Sequence, residues 1–189
     1  MSNFFGKAWL LLGAGMVATL SVRAEMPRGL DVALTYDASQ ANIVPGNNFW
    51  LQGGSVQVHA RFWGGLGVVA DVGGLQTGNI QGGGVGLNLV TATFGPRYTR
   101  TIAHRRYAIF GQVLVGEVNG FDSVFPTANG VESSANGLAL KTGGGVNVSL
   151  SRHVAVRALE ADWLRTQLPN GTTGVQNNLR LGAGMVFKF

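Results

Sequence analysis

From Asn178 to the C-terminus, apolar and polar side chains alternate. Leu179, Leu181, Ala183, Met185, Phe187 and Phe189 take the odd positions, while Asn178, Arg180, Gly182, Gly184, Val186 and Lys188 take the even ones. A period of two is the mark of a β-strand, whose side chains point to opposite faces in turn. Leu30, Val32, Leu34 and Tyr36 oppose Asp31, Ala33, Thr35 and Asp37 in the same way, and Val56, Val58, Ala60 and Phe62 oppose Ser55, Gln57, His59 and Arg61. No stripe of 3.6-residue period produces this split.

Extended along the chain, the pattern predicts strands near 29–37, 50–62, 66–76, 87–99, 106–118, 137–150, 153–164 and 176–189. Their connections alternate in length: 38–49, 77–86, 119–136 and 165–175 are long, and 63–65, 100–105 and the turn near 150–153 are short. Short turns at one end and long loops at the other predict an all-β, eight-stranded antiparallel up-and-down transmembrane β-barrel. Ten residues at about 3.3 Å each, tilted about 45°, rise roughly 23 Å, close to the apolar band of about 25 Å in such barrels. Closure is required there, because an unpaired backbone edge in lipid costs several kcal/mol per group.

Two strands depart from simple alternation. In 106–118 both faces are apolar, with Tyr107, Ile109, Val113 and Val115 on one side and Phe110 and Leu114 beside Gln112 on the other. In 153–164, Arg157 has the opposite parity to Glu160 and Asp162. One inserted residue reverses the facing of all that follow, so a bulge near Ala158 and Leu159 is expected to put the three charges on one side.

Aromatic residues separate a membrane barrel from a water-soluble one. With the N-terminus periplasmic, Tyr36, Trp50 and Trp163 fall at outer strand ends, and Phe62, Trp63, Tyr98, Tyr107, Phe187 and Phe189 at inner ends. Two girdles at headgroup level are what amphipathic rings prefer.

Composition narrows the class further. Only 12% of the 189 residues are charged, 46% are hydrophobic, 30 are glycine and none is cysteine. Disulfide scaffolds, thiolate metal sites and cysteine nucleophiles are thereby excluded. Residues 1–24 read as a secretory signal peptide: Lys7 precedes the apolar run from Ala8 to Leu20, and Val22-Arg23-Ala24 is the cleavage boundary. Residues 25–189 are then the outer-membrane β-barrel. Loss of Lys7 and Arg23 lowers the formal charge from +5 to +3, which with export argues against nucleic acid as a partner.

Phe94-Gly95-Pro96-Arg97-Tyr98, the run from Phe110 to Gly116, Gly143-Gly144-Gly145-Val146 and the terminal Gly184-Met185-Val186-Phe187-Lys188-Phe189 add a family likeness. Together they resemble the bacterial outer-membrane β-barrel family related to the transmembrane domain of outer-membrane protein A, most clearly over 87–189. The resemblance implies location in the outer membrane of a Gram-negative-type cell, with that membrane's lipids as partners. It also implies that Phe187 and Phe189 form the terminal signal met by the barrel-assembly machinery.

The inward parity carries Asp31, Asp37, His59, Arg61, Asp71, Arg97, Gln112, Lys141, Arg157, Arg180 and Lys188, joined across the bulge by Glu160 and Asp162. An eight-stranded barrel is just wide enough for side chains to fill, so these charges are expected to pair as a lumen network. Asp31, Arg61, Asp71, Arg97, Arg157, Glu160, Asp162 and Arg180 are its candidate members. The alternative is a selective small-solute pore.

Catalysis is not expected. Ser151 and His153 share a face but lie in a turn at the inner end, away from outer-leaflet lipid, and His59 and His104 fall in the same half. A lipid A-modifying enzyme is therefore the weaker reading, beside a soluble barrel binding a small hydrophobic ligand. Three separated histidines lack metal-ligand spacing, and Gly82-Gly83-Gly84 lacks the Lys-Ser/Thr of a phosphate cradle. No cofactor or metal is expected. The function expected is that of a monomeric structural or surface-interaction barrel with at most slight passive permeability. N-terminal sequencing of the exported protein is predicted to begin Glu25-Met26-Pro27; a mature chain that retains Lys7 would refute the cleavage site.

Overall fold

The computed structural model describes residues 27–44, 47–78, 86–103, 106–127, 130–170 and 173–189. The proposed signal peptide, His104 and Gly82-Gly83-Gly84 lie outside the described residues. Eight strands are formed: β1 Gly29–Val44, β2 Asn47–Trp63, β3 Leu66–Thr77, β4 Leu87–Ile102, β5 Tyr107–Thr127, β6 Gly130–Ser149, β7 Val154–Thr166 and β8 Gln176–Lys188. Each pairs antiparallel with the next, and β8 pairs with β1, closing the barrel. The fold is the all-β up-and-down barrel expected from the alternation.

Local chemistry explains the turns at one end. Between β2 and β3, Gly64 and Gly65 hold φ of 57° and 90°, the double positive φ that a two-residue hairpin turn demands and that glycine adopts without strain. Between β6 and β7, the amides of Leu150 and Ser151 both donate to the Val154 carbonyl at 3.0 Å. The closing seam ends there too, where Phe189 N donates to Leu30 O at 2.8 Å and Leu30 N to Phe189 O at 3.3 Å.

At the opposite end the chain departs from expectation. The segments 38–49 and 119–136, read as long loops, are mostly strand: β1 runs on to Val44 before β2 starts at Asn47, and β5 and β6 pair out to Thr127 and Gly130. Alternation continues into the upper parts of β2, β3, β5 and β7, but its sense is reversed. Lower on the wall the outward side chains are apolar, as with Leu66, Val68, Ala70 and Val72 of β3, while Asp71 points inward. Above Tyr36 and Trp163 the exposed residues include Gln52, Gln76, Asn119, Asn136, Arg165 and Asn177, interspersed with Trp50, Leu138, Val124 and Val131. Inside at this level lies a closed apolar cluster that includes Phe49, Leu51, Leu75, Leu87, Leu89, Phe125, Leu164 and Leu168. Water outside a barrel drives apolar groups inward, whereas lipid outside leaves them on the wall. The steps from Leu66 to Gly74, at about 3.3 Å each and a tilt of about 40°, give an apolar belt roughly 20 Å tall.

The bulge in β7 is present. Val146 pairs with Leu159 and Asn147 with Arg157, so Ala158 is the unpaired extra residue, and Arg157, Glu160 and Asp162 all face the lumen. Phe62 requires a correction. The β2–β3 register shifts between Arg61 and Trp63, so Trp63 takes the outward position, while Phe62 sits half-buried in a crevice with Arg28, Arg61 and Tyr98. The other expected girdle residues, Tyr36, Trp50, Trp63, Tyr98, Tyr107 and Trp163, are exposed on the outer wall. Tyr36 also donates through its hydroxyl to Gln52 Oε1 at 2.9 Å, joining the upper girdle to the polar collar.

Deleting Phe189 removes the last backbone pair of the seam and the exposed terminal ring, but none of the pairs from Asp31–Lys188 onward. The truncated chain is predicted to refold in detergent with a normal heat-modifiable gel shift but to assemble poorly in cells. Normal assembly in cells would refute a signalling role for the terminal ring.

Candidate functional site

The lumen holds three layers of side chains. Nearest the turns, Asp31 accepts from Arg61 Nη2 at 3.2 Å and lies 3.3 Å from His59 Nδ1. Arg61 is about one-third exposed, so this group belongs to the mouth rather than the core.

The middle layer is buried. Arg157 Nη1 meets Glu160 Oε2 at 2.6 Å and also donates to Gln57 Oε1 at 2.6 Å, while its Nε reaches Asn147 Oδ1 at 3.1 Å. Gln57 and Gln112 link unlike charges. Their Oε1 atoms accept from Arg97, and their Nε2 atoms donate to Glu160 Oε1 at 2.7 and 2.8 Å. Gln112 Nε2 also reaches Asp162 Oδ1 at 3.0 Å. An amide can serve both signs because one end accepts and the other donates. The Phe110 ring lies beneath both guanidiniums, 4.2 Å from Arg97 Cζ and 4.8 Å from Arg157 Cζ. That is a cation–π arrangement, and it accounts for an aromatic residue on the inward face of β5.

The third layer sits beneath the apolar cluster. Lys141 Nζ lies 2.7 Å from Asp71 Oδ1, and Arg180 Nη2 lies 2.7 Å from Asp37 Oδ2 and donates to Ser55 Oγ at 2.6 Å. A longer contact of 3.6 Å from Arg180 Nη1 to Asp71 Oδ1 joins the two pairs.

Bare backbone on β6 makes the room. A Cβ on Gly145 would stand 2.8 Å from Phe110 Cζ, and one on Gly143 would collide with Asp162 Oδ1. Glycine there lets the ring and the carboxylate lie against the wall.

All eight expected network residues are thus inside, but they form a mouth group and a core rather than one set. Arg97 was expected to pair with an acid, yet its hydrogen bonds go only to the amides of Gln57 and Gln112. The bridging amide of Gln57 was not singled out from sequence, although its inward parity between Ser55 and His59 was the available signal. Ser151 and His153 are close, with the His153 amide donating to Ser151 Oγ at 3.2 Å, but His153 Nδ1 faces the Lys188 carbonyl at 3.4 Å instead of the serine. That geometry does not prepare a nucleophile.

Removing one partner of a buried pair strands the other. Arg157→Ala is predicted to destabilise the barrel by on the order of 3 kcal/mol, since Glu160 would keep its charge without its cation. Arg61→Ala, at the wet mouth, is predicted to cost less than about 1 kcal/mol. Urea midpoints of the refolded proteins measure both, and equal small losses would mean that water fills the lumen.

The sequence matches no protein-family model and no curated protein. Its fold does have counterparts among solved structures. Neisserial surface protein A superposes with a TM-score of 0.63 at 14% identity, over 85% of this chain and 97% of the other. Ail, the attachment invasion locus protein of Yersinia pestis, gives 0.59 at 15% identity over 87% and 100%. The outer membrane protein OprG of Pseudomonas aeruginosa gives 0.51 at 11% over 87% and 97%. The structural neighbours of this chain are thus bacterial outer-membrane barrels, and the fold it shares with them is the closed barrel of eight antiparallel strands.

Proposed function

We propose that the protein is an integral outer-membrane barrel acting through its outer rim as a structural or surface-interaction element, neither catalytic nor steadily conducting. The observation that carries this reading is the double seal of the lumen. The layer of Arg97, Gln112, Arg157 and Glu160 is buried to within 4% of full burial, and the cluster around Leu51, Leu87, Leu89 and Leu164 closes the tube again above it. A water path would have to break both. Moving an ion through the upper cluster would strip much of its hydration where leucine and phenylalanine side chains fill the interior.

The apolar belt and its aromatic rims support lipid as the partner of the outer wall, with the tight turns facing the periplasm. The barrel-assembly machinery is the transient partner of Phe187 and Phe189, and the barrel acts as a monomer. The strand extensions beyond the belt favour a rigid platform standing clear of the headgroups.

Single-channel recording in planar bilayers tests the reading. The native protein is predicted to give little or no steady current, and large, long-lived openings would overturn the seal and establish a pore.

A further inference from the structure

Below the sealed layers the barrel is open at its turn end, where a cavity of about 940 Å³ is lined by five cationic side chains: Arg61, Arg97, Arg106, Arg152 and Lys188. One carboxylate, Asp31, faces them, and it is already shared between Arg61 and His59. Lys188 Nζ donates to the neutral Ser149 Oγ at 2.7 Å, and neither Arg106 nor Arg152 has an ion-pair partner among the described residues.

The ceiling carries the more telling observation. Arg97 is only 3% exposed, meets no carboxylate within ion-pair distance, and spends its Nε and Nη2 on amide oxygens. Its Nη1 makes no hydrogen bond to any described residue, and its side chain lines the cavity. That nitrogen is thus presented to the cavity, where a guanidinium otherwise enclosed by protein has room for an anion's oxygens. The wall near it is polar, with Thr99, Asn147 and Ser149 supplying further hydrogen-bonding groups.

We propose that this blind vestibule binds a small multivalent oxyanion, a diphosphate or polycarboxylate, with Arg97 at the ceiling and Lys188 and Arg152 at the mouth. Arginine at the deepest point suits the task because its planar fork stays charged and grips two oxygens at once. A concave site walled by low-dielectric protein also concentrates the field of its cations on whatever enters. The ligand does not pass through, since the Arg157–Glu160 layer closes the upper side. The site is therefore one of capture, distinct from the outer rim. That the ligand arrives from the periplasm rests on the orientation proposed above; binding itself does not.

The experiment titrates inorganic pyrophosphate into the refolded protein in uncharged maltoside micelles, read by isothermal titration calorimetry with ionic strength held constant by chloride. Saturable one-to-one binding is expected, weakened about tenfold in Arg97→Gln, a loss of the size expected for one charge-assisted contact. A comparable weakening is expected in the double variant Arg152→Gln, Lys188→Gln, whose changes lie outside the buried core and so report on the site even where the ceiling variant folds poorly. No binding, or equal binding by native protein and double variant, overturns the proposal. A separate arm tests the side of entry: because the chain has no cysteine, Arg152→Cys introduces a single thiol. A membrane-impermeant maleimide is expected to label it only after the outer membrane is permeabilised. Labelling in intact cells overturns the periplasmic source while leaving the micelle result to judge the site.

Discussion

Pairing of β1 with β8 is the constraint on which everything else rests. Once the ladder from Asp31–Lys188 to Gln40–Leu179 is made, no strand edge is left open and the interior diameter is set by eight strands. Such an interior has space for side chains and little else. Every inward residue must therefore either fit a neighbour or be glycine. Gly143 and Gly145 on β6 are bare where Asp162 and Phe110 lie against the wall, and the extra residue Ala158 turns Arg157 to the same side as Glu160. Closure dictates the contents of the lumen.

Those contents are charged, and their arrangement reflects the cost of burial. The buried core holds Arg97, Lys141, Arg157 and Arg180 against Asp37, Asp71, Glu160 and Asp162, equal numbers of each sign. Direct contacts join some of them, and Gln57 and Gln112 relay between others. Such a network is poor evidence of extra stability, because desolvation consumes much of the Coulombic gain. Its effect is on uniqueness. A shift of one strand by one residue would put the charges of that strand on the outer wall and its apolar residues in the lumen. The penalty for each wrong register is far larger than the net worth of the right one.

The wall changes character along its height. In the belt most outward residues are Leu, Val, Ala and Phe, and above it Gln, Asn, Glu and Arg join a few apolar ones, while the interior changes in the opposite sense from charged to leucine-rich. Fully burying each leucine of the upper cluster is worth roughly 1.5–3 kcal/mol where water lies outside. The upper segment thus buries apolar side chains as a water-soluble barrel does, while the lower one is closed by its ladder, with the charge network selecting the register. A single chain carries both arrangements without interrupting a strand.

Much of this was legible in the residues alone. Alternation assigned the faces of β1, of β2 as far as Arg61, and of β8 correctly, and the clashing parity of Arg157 with Glu160 and Asp162 located the bulge, because period two leaves one way to reconcile them. Parity gives a face but not a height, however, and it cannot tell which solvent lies outside. The extensions of β1, β5 and β6 were therefore read as loops, although Gln52, Gln76, Asn119 and Asn177 recorded the change of surroundings. Phe62 was misplaced for a related reason: the bulge beside it is marked by no pair of charges of opposed parity. Partner choice also lay beyond the sequence. Arg180 meets Asp37, 143 positions earlier, while Arg157 meets Glu160 three positions away, and nothing in either neighbourhood distinguishes the two cases. Only the stagger of strands in the closed barrel decides which acid stands opposite which base, because a buried charge must pair with what the register places within reach.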